Sequence, residues 1–414
     1  MREESPDETD DMFEGFLGGK GFAIHFSPGA IPELLSRSLF GDDSSSENYN
    51  FASAHFNYMI SRDFSSDLSD MLDARARFVA NRQAKDAIKA YGWPTANSVV
   101  AEMLNKETNL DVAEERIVPF NKRTRIALDA LLSKLVGDDQ VALPVPNWHF
   151  WDMGKFSKGD YSYAYFDAFD EGQLVEEFGK IASKKDVKAL VLLSPTNPLF
   201  YNISEAAAKE IEAVALKNGV VVVVDDVLRG TNPVGQRNSF GEYFSQAYVV
   251  EGFSKRFGEL PLGKFSYVLI PEGGVYLEPS FTPRNTCLEV GIIQAALKHS
   301  TEPAIEELKK RNKTFDEGLR SVCPEAQIVR PSESYLISLV RLPSGIDACE
   351  LDGALESQGV SVYHSCKFIP HEYEMDHKRP DLNSWLRITV GMMSAEKIRE
   401  GAVAIGSAIH YMKK

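Results

Sequence analysis

Uninterrupted apolar runs separated by turn-forming clusters mark the middle of the chain. Ala189-Leu190-Val191-Leu192-Leu193 and Val220 to Val224 show no polar alternation. Runs of that kind predict parallel strands covered by helices on both faces. Val141 to Val145 and the segment around Val249-Val250 read as further strands, and Ile117-Val118-Pro119 precedes another predicted helix. Between the first two runs, Ser204 to Asn218 reads as a helix, with Ser204 as N-cap, an alanine-rich first turn and Asn218-Gly219 as the stop. Strand, helix, strand is thus the repeating unit. Further on, a helix around Glu289 to Lys313 should lead to strands near Leu336 to Val340, Val360 to Val362 and Leu386 to Val390.

Each of three strands runs into a polar residue. The first is followed by Ser194-Pro195-Thr196-Asn197-Pro198, the second by Asp225, and the third by Gly252-Phe253-Ser254-Lys255. Open parallel sheets bind ligands at the carboxyl ends of their strands, where an amine such as that of Lys255 can form a Schiff base. Taken singly, these are a solvated lysine, a turn-forming Asn and a helix-capping Asp. Their shared position at three strand ends shifts the balance toward function.

In this order, SPTNPLFYNIS, VVVVDDVLRG and VVEGFSKRFGELPLGKFSYVLI, with SWLRITVG downstream, resemble the motifs of fold-type I pyridoxal-phosphate enzymes, class I/II aminotransferase branch. The resemblance spans roughly residues 85 to 400. It implies an α/β fold, with a large domain built on a mixed, mostly parallel seven-stranded sheet and a smaller α+β domain. It implies pyridoxal 5'-phosphate as cofactor, Lys255 as its Schiff-base partner and the base at the substrate's Cα, and Asp225 against the pyridine nitrogen. Asn197 would donate to the ring's phenolic oxygen and border the substrate, Trp148 would stack on the ring, and Arg387 would receive the substrate carboxylate. A guanidinium suits that last task because its fork makes two parallel hydrogen bonds. Tyr91 resembles the tyrosine that reaches a neighbouring subunit's phosphate, which implies a homodimer. The phosphate cup is expected at the helix start Lys122-Arg123-Thr124, helped by Ser254, because helix N-termini present unbonded amides.

Several positions depart from the pattern. Lys122, Arg123 and Thr124 stand where relatives have glycine and small residues, and Gly263 stands where they have a phosphate-binding arginine, leaving Lys264 or Arg256 as substitutes. Leu228 occupies the place of the tyrosine that shares the phenolic oxygen with Asn197. These changes bear on the reaction branch more than on the cofactor. Amino-group transfer from an L-α-amino acid to a 2-oxo acid is the leading expectation. Elimination or replacement, cyclisation and oxidation are the alternatives, followed by a cofactor-binding protein without turnover.

Composition narrows the field little further. The chain has 414 residues and a formal charge of −15, which disfavours nucleic acid, and no apolar stretch approaches the roughly 20 residues that cross a bilayer. The acidic start, Met1 to Asp7, does not read as a secretory signal. Cys287, Cys323, Cys349 and Cys366 show no CxxC spacing, so reduced thiols in a cytoplasmic protein are expected. His371-Glu372 begins like a zinc motif, but Met375 replaces its second histidine and no metal site is assigned. The expected division is an acidic arm over 1–15, a segment over 16–84 packing with the small domain, a large cofactor-binding domain over 85–288 and a small domain over 289–414.

Overall fold

The computed structural model describes residues 49–50, 95–120, 123–148, 150, 160–199, 201–229, 240–253, 255, 265–278, 290, 293–294, 302–330, 335–371, 373, 384–391 and 393–413. Strand β1 is Tyr49–Asn50, followed by helix α1 (Ala96–Glu107), β2 (Ile117–Phe120) and α2 (Thr124–Val136). Next come β3 (Gln140–Val145), β4 (Ser162–Asp167), α3 (Glu171–Ile181), β5 (Val187–Leu193), α4 (Glu205–Asn218) and β6 (Val221–Asp225). Strands β7 (Tyr248–Gly252) and β8 (Ser266–Leu269) complete a seven-stranded sheet in the order β2-β8-β7-β6-β5-β3-β4. It is parallel except at β8, which runs antiparallel to both of its neighbours.

Side chains leave a strand alternately to either face, and here both faces are apolar. Leu190, Leu192, Val222, Val224 and Val249 join a core with residues of α1, α3 and α4. Ala189, Val191, Leu193, Val223 and Val250 join the opposite core with Ala127, Leu128, Leu131 and Leu132 of α2. Double coverage explains why these strands carry unbroken apolar runs. The predicted helix after β5 forms as read: Ser204 accepts from the Ala207 amide, and Gly219 closes the end with φ +68°.

The C-terminal part begins with α5 (Glu302–Val322), β9 (Gln327–Val329) and β10 (Ile337–Arg341). Then follow α6 (Ala348–Glu356), β11 (Val360–Ser361), β12 (Tyr363–His364), β13 (Trp385–Thr389) and α7 (Ala395–Met412). Strands β12-β13-β10-β9 form an antiparallel sheet, and β1 pairs in parallel with β11. Of the expected helix over Glu289 to Lys313, Val290, Ile293 and Gln294 are helical, and α5 carries the helix from Glu302 past Lys313 to Val322. Buried Ile305, Leu308, Asn312, Phe315 and Leu319 recur along it at helical spacing past Lys313. Among the described residues, no helix is long and apolar enough to cross a membrane.

Candidate functional site

The carboxyl ends of β5, β6 and β7 lie side by side. Asp225, the last residue of β6, is paired with Leu193 on one side and Val250 on the other. It therefore lies on the sheet face that α2 covers. Burial, the largest influence, raises its pKa from 3.8 to about 7; the nearby Asp226 and Glu251 carboxylates add to the rise, while a 3.0 Å hydrogen bond from the Val227 amide and the charge of Lys255 oppose it. Lys255, half-buried just beyond β7, is thus within electrostatic reach of Asp225. Asn197 is buried in the turn after β5, and its Oδ1 lacks a hydrogen-bond partner. The turn is held by Thr196, whose amide donates to the Tyr201 carbonyl at 3.0 Å, and by Tyr201, whose hydroxyl donates to the Ala168 carbonyl at 3.1 Å.

The start of α2 packs against the end of β7. Arg123 is its N-cap residue and supplies no side-chain cap, so the first-turn amides have no partner from that side chain. Thr124 is buried and its Oγ1 lies where a Cβ at position 252 would stand, only 2.0 Å away. Glycine at 252 therefore lets α2 reach the end of β7. Gly252→Ala is expected to push the α2 start away from Lys255 and weaken phosphate-bearing ligands about ten-fold or more, checked by equilibrium binding of pyridoxal 5'-phosphate. Unchanged affinity would detach this helix start from ligand binding.

Arg387 lies in the middle of β13, opposite Leu339 on one side and Tyr363 on the other. As strand alternation predicts, Leu386 and Ile388 point to the main core while Arg387 points away from it. It is fully buried, with its guanidinium carbon 4.5 Å from the ring centre of Tyr363, 5.1 Å from that of Trp148 and 5.3 Å from that of Phe368. Burial pulls its pKa from the usual arginine value down to about 9. The structure therefore places Trp148, read in the sequence as a cofactor stacker, against the arginine. Trp148 follows β3 and meets the C-terminal part there, and the Asn147 amide donates to the Phe368 carbonyl at 3.0 Å. Leu199, two residues past Asn197, packs into the same aromatic cluster.

Leu228 is buried in the main core, so no phenol reaches the Asn197 region from that position. The residue after it is unexpected. Arg229 is fully buried and ion-paired with Glu251 at the end of β7, Glu107 at 3.1 Å and Asp226 at 3.7 Å, while Tyr267 donates to the same Glu251. Burial alone would lower the Arg229 pKa, but its carboxylate neighbours raise it well above the usual arginine value. This network ties β6 to β7 beneath Asp225. The only hint in the sequence was an acidic residue, Glu251, inside an apolar strand. Tyr91, Lys122, Ser254, Arg256, Gly263, Lys264 and Met375 lie outside the described residues.

No family model matches the chain. A curated relative, "Aspartate aminotransferase" of Pyrococcus abyssi, is 23% identical over 235 residues, which are 53% of this chain and 59% of that protein. The chain thus spans less than two thirds of that relative's length. Among solved structures, aspartate aminotransferase from Thermus thermophilus with maleate superposes with a TM-score of 0.63 at 16% identity, covering 99% of this chain and all of that one. The chain has the fold-type I fold of the pyridoxal-phosphate aminotransferases. The same fold serves other chemistry, since the PLP-bound C-S lyase from Staphylococcus hominis superposes with a TM-score of 0.65 at 14% identity, covering 89% and 95% of the two chains.

Proposed function

We propose that this chain is a pyridoxal 5'-phosphate-dependent enzyme that transfers the amino group of an L-α-amino acid to a 2-oxo acid. The observation that carries the reading is the convergence of Asn197, Asp225 and Lys255 at three neighbouring strand ends. The donor set fits the cofactor. Asp225 is a buried carboxylate in need of a cationic partner, Asn197 is a buried amide whose NH2 group can donate to the ring's phenolic oxygen, and the α2 start offers amides suited to phosphate. When bound, the cofactor supplies an aldehyde carbon for an amine and a ring that accepts electron density.

The chain's own residues divide the remaining work. Lys255 provides the amine that holds the aldehyde carbon and, once displaced by a substrate amine, takes the proton from the substrate's Cα. Asp225 holds a proton on the pyridine nitrogen by charge, in a buried setting that strengthens the pairing. Asn197 orients the ring through its phenolic oxygen. Thr124 and Arg123 seat the phosphate, with Lys122, Ser254, Lys264 and a partner subunit's tyrosine at position 91 in supporting roles. Arg387 fixes the substrate carboxylate, and its aromatic surround, Trp148 included, keeps water away from that ion pair. A homodimer in the cytoplasm fits this reading.

Leu228 favours a second reading, in which the product is an eliminated, cyclised or oxidised amino acid. Without a phenol at that position, the ring oxygen has one donor fewer beside Asn197, and proton return after Cα deprotonation follows different rules. A single-turnover experiment separates the two. Transfer gives one equivalent of 2-oxo acid per Lys255 and then stops until an acceptor is added. Continued turnover without acceptor, compared with and without oxygen, would instead assign a lyase, cyclase or oxidase. Borohydride reduction and peptide mapping are expected to place the cofactor on Lys255; an adduct on Lys264 or Lys122 would overturn the site itself.

A further inference from the structure

A second cluster of reactive side chains lies behind the arginine cage, in the C-terminal part. Cys349 Sγ is 2.9 Å from Cys366 Sγ and 3.3 Å from His364 Nδ1, and the three ligand atoms lie within 4.8 Å of one another. None of them takes part in the function proposed above. We propose that Cys349, His364 and Cys366 form a binding site for one zinc-type divalent cation.

The ligand set and its surroundings support this. Two thiolates and an imidazole are the borderline-soft donors that zinc selects over oxygen-only sites. Around a tetrahedral ion, thiolate and imidazole donors stand on the order of 3.5 Å to 3.8 Å apart. The 3.3 Å spacing to Nδ1 nearly meets that, and the sulfurs need only a small opening. Cys349 has room for it, because it is exposed in the first turn of α6, where the Asp347 carboxylate accepts from the Cys349 amide at 2.7 Å and fixes the backbone.

The imidazole is also held from behind. Asp352 Oδ2 lies 3.6 Å from His364 Nε2, leaving Nδ1 as the nitrogen that faces the thiols. A carboxylate behind the second ring nitrogen is the usual support of a metal-bound histidine. Charges balance as well: two thiolates neutralise a dication, and Lys367, 3.0 Å from Asp352, neutralises the supporting carboxylate. The fourth position opens to solvent beside exposed Cys349, where a water completes the coordination.

An ion there would pin the first turn of α6 to the stretch between Tyr363 and Phe368, two residues that wall in Arg387. Sequence spacing hides the set, because Cys349 and Cys366 are 17 residues apart and meet only when α6 packs on the turn after β12.

The test uses the full-length, cofactor-loaded protein, reduced, desalted and given one equivalent of Zn2+. Native mass spectrometry is expected to show one zinc per chain, and competition with a chromophoric chelator should show Cys349→Ser and Cys366→Ser binding about 100-fold more weakly or worse. Peptide-resolved alkylation of the unmutated protein supplies a readout independent of folding: zinc is expected to protect Cys349 and Cys366 but leave Cys323 unchanged. No zinc retained by the reduced protein, equal retention by both variants, or alkylation of both cysteines indifferent to zinc would overturn the site. A Cys349–Cys366 disulfide in protein isolated without reductant, with no zinc uptake after reduction, would assign the pair to redox chemistry instead.

Discussion

Asp225→Asn is expected to slow proton exchange at the substrate's Cα by roughly 10²–10³-fold, the usual cost of losing one preorganised electrostatic partner, while making the cofactor-free protein more stable. The two effects share one cause. Burial drives the Asp225 carboxyl from 3.8 to about 7, so the folded chain binds a proton there that the unfolded chain has already released. Stability from this group is therefore fully present below pH 3.8 and is lost as pH rises through about 7. Some three pKa units correspond to an upper limit of about 4 kcal/mol at pH 8.

Asparagine carries no such charge and can still accept from the Val227 amide, now 3.0 Å from the carboxylate. The difference in unfolding free energy between variant and cofactor-free wild type should grow from pH 4 to pH 8 by about 2–4 kcal/mol. Cofactor should narrow the gap, because a protonated ring nitrogen gives Asp225 the cationic partner that burial withholds. A pH-independent difference, or wild-type exchange at Cα, would remove Asp225 from the ring-nitrogen role.

The same residue shows what sequence could reveal. A run of valines ending in aspartate specifies a buried parallel strand with a charge at its tip, because both properties are local. The Ser204 cap and the Gly219 stop are local for the same reason, and α4 spans Glu205–Asn218 with Gly219 in the left-handed region. Helix α5 was harder to read. Its buried face is spaced by 3 or 4 residues but diluted among Glu, Lys and Arg, so its extension to Val322 depends on packing against α7. The antiparallel insertion of β8 between β2 and β7 left no local mark either.

Non-local assembly accounts for what was missed at the site. The ring of Trp148 meets Arg387, with Tyr363 arriving from β12 and Phe368 from the turn after it, a grouping that no single segment states. The Arg229–Glu251 pair likewise joins residues from separate segments, and its strength comes from burial, a property no residue pattern states. The Asn197, Asp225 and Lys255 set could be read because each follows its own strand. That those strand ends adjoin is a consequence of strand order.

Arg387→Met is expected to weaken α-amino acid binding by about 2–5 kcal/mol, the range for removing one partner of a desolvated ion pair. That is about 30-fold to several-thousand-fold in Kd. Burial among Tyr363, Trp148 and Phe368 lowers the arginine's pKa to about 9, yet a guanidinium remains protonated at neutral pH. The shift therefore measures a charge held at a cost that aromatic faces only partly offset. A carboxylate offers two oxygens to the guanidinium fork and restores what burial removes. Methionine fills much of the same volume and packs well against aromatic rings, so the unliganded variant is expected to be as stable as wild type or more stable by roughly 1–4 kcal/mol. An amine lacking the carboxylate should bind both proteins alike. Measuring both ligand types and thermal unfolding on one pair of proteins decides the matter. Equal losses for acid and amine, together with a destabilised fold, would make Arg387 a structural pillar of the aromatic cluster instead of the group that receives the substrate.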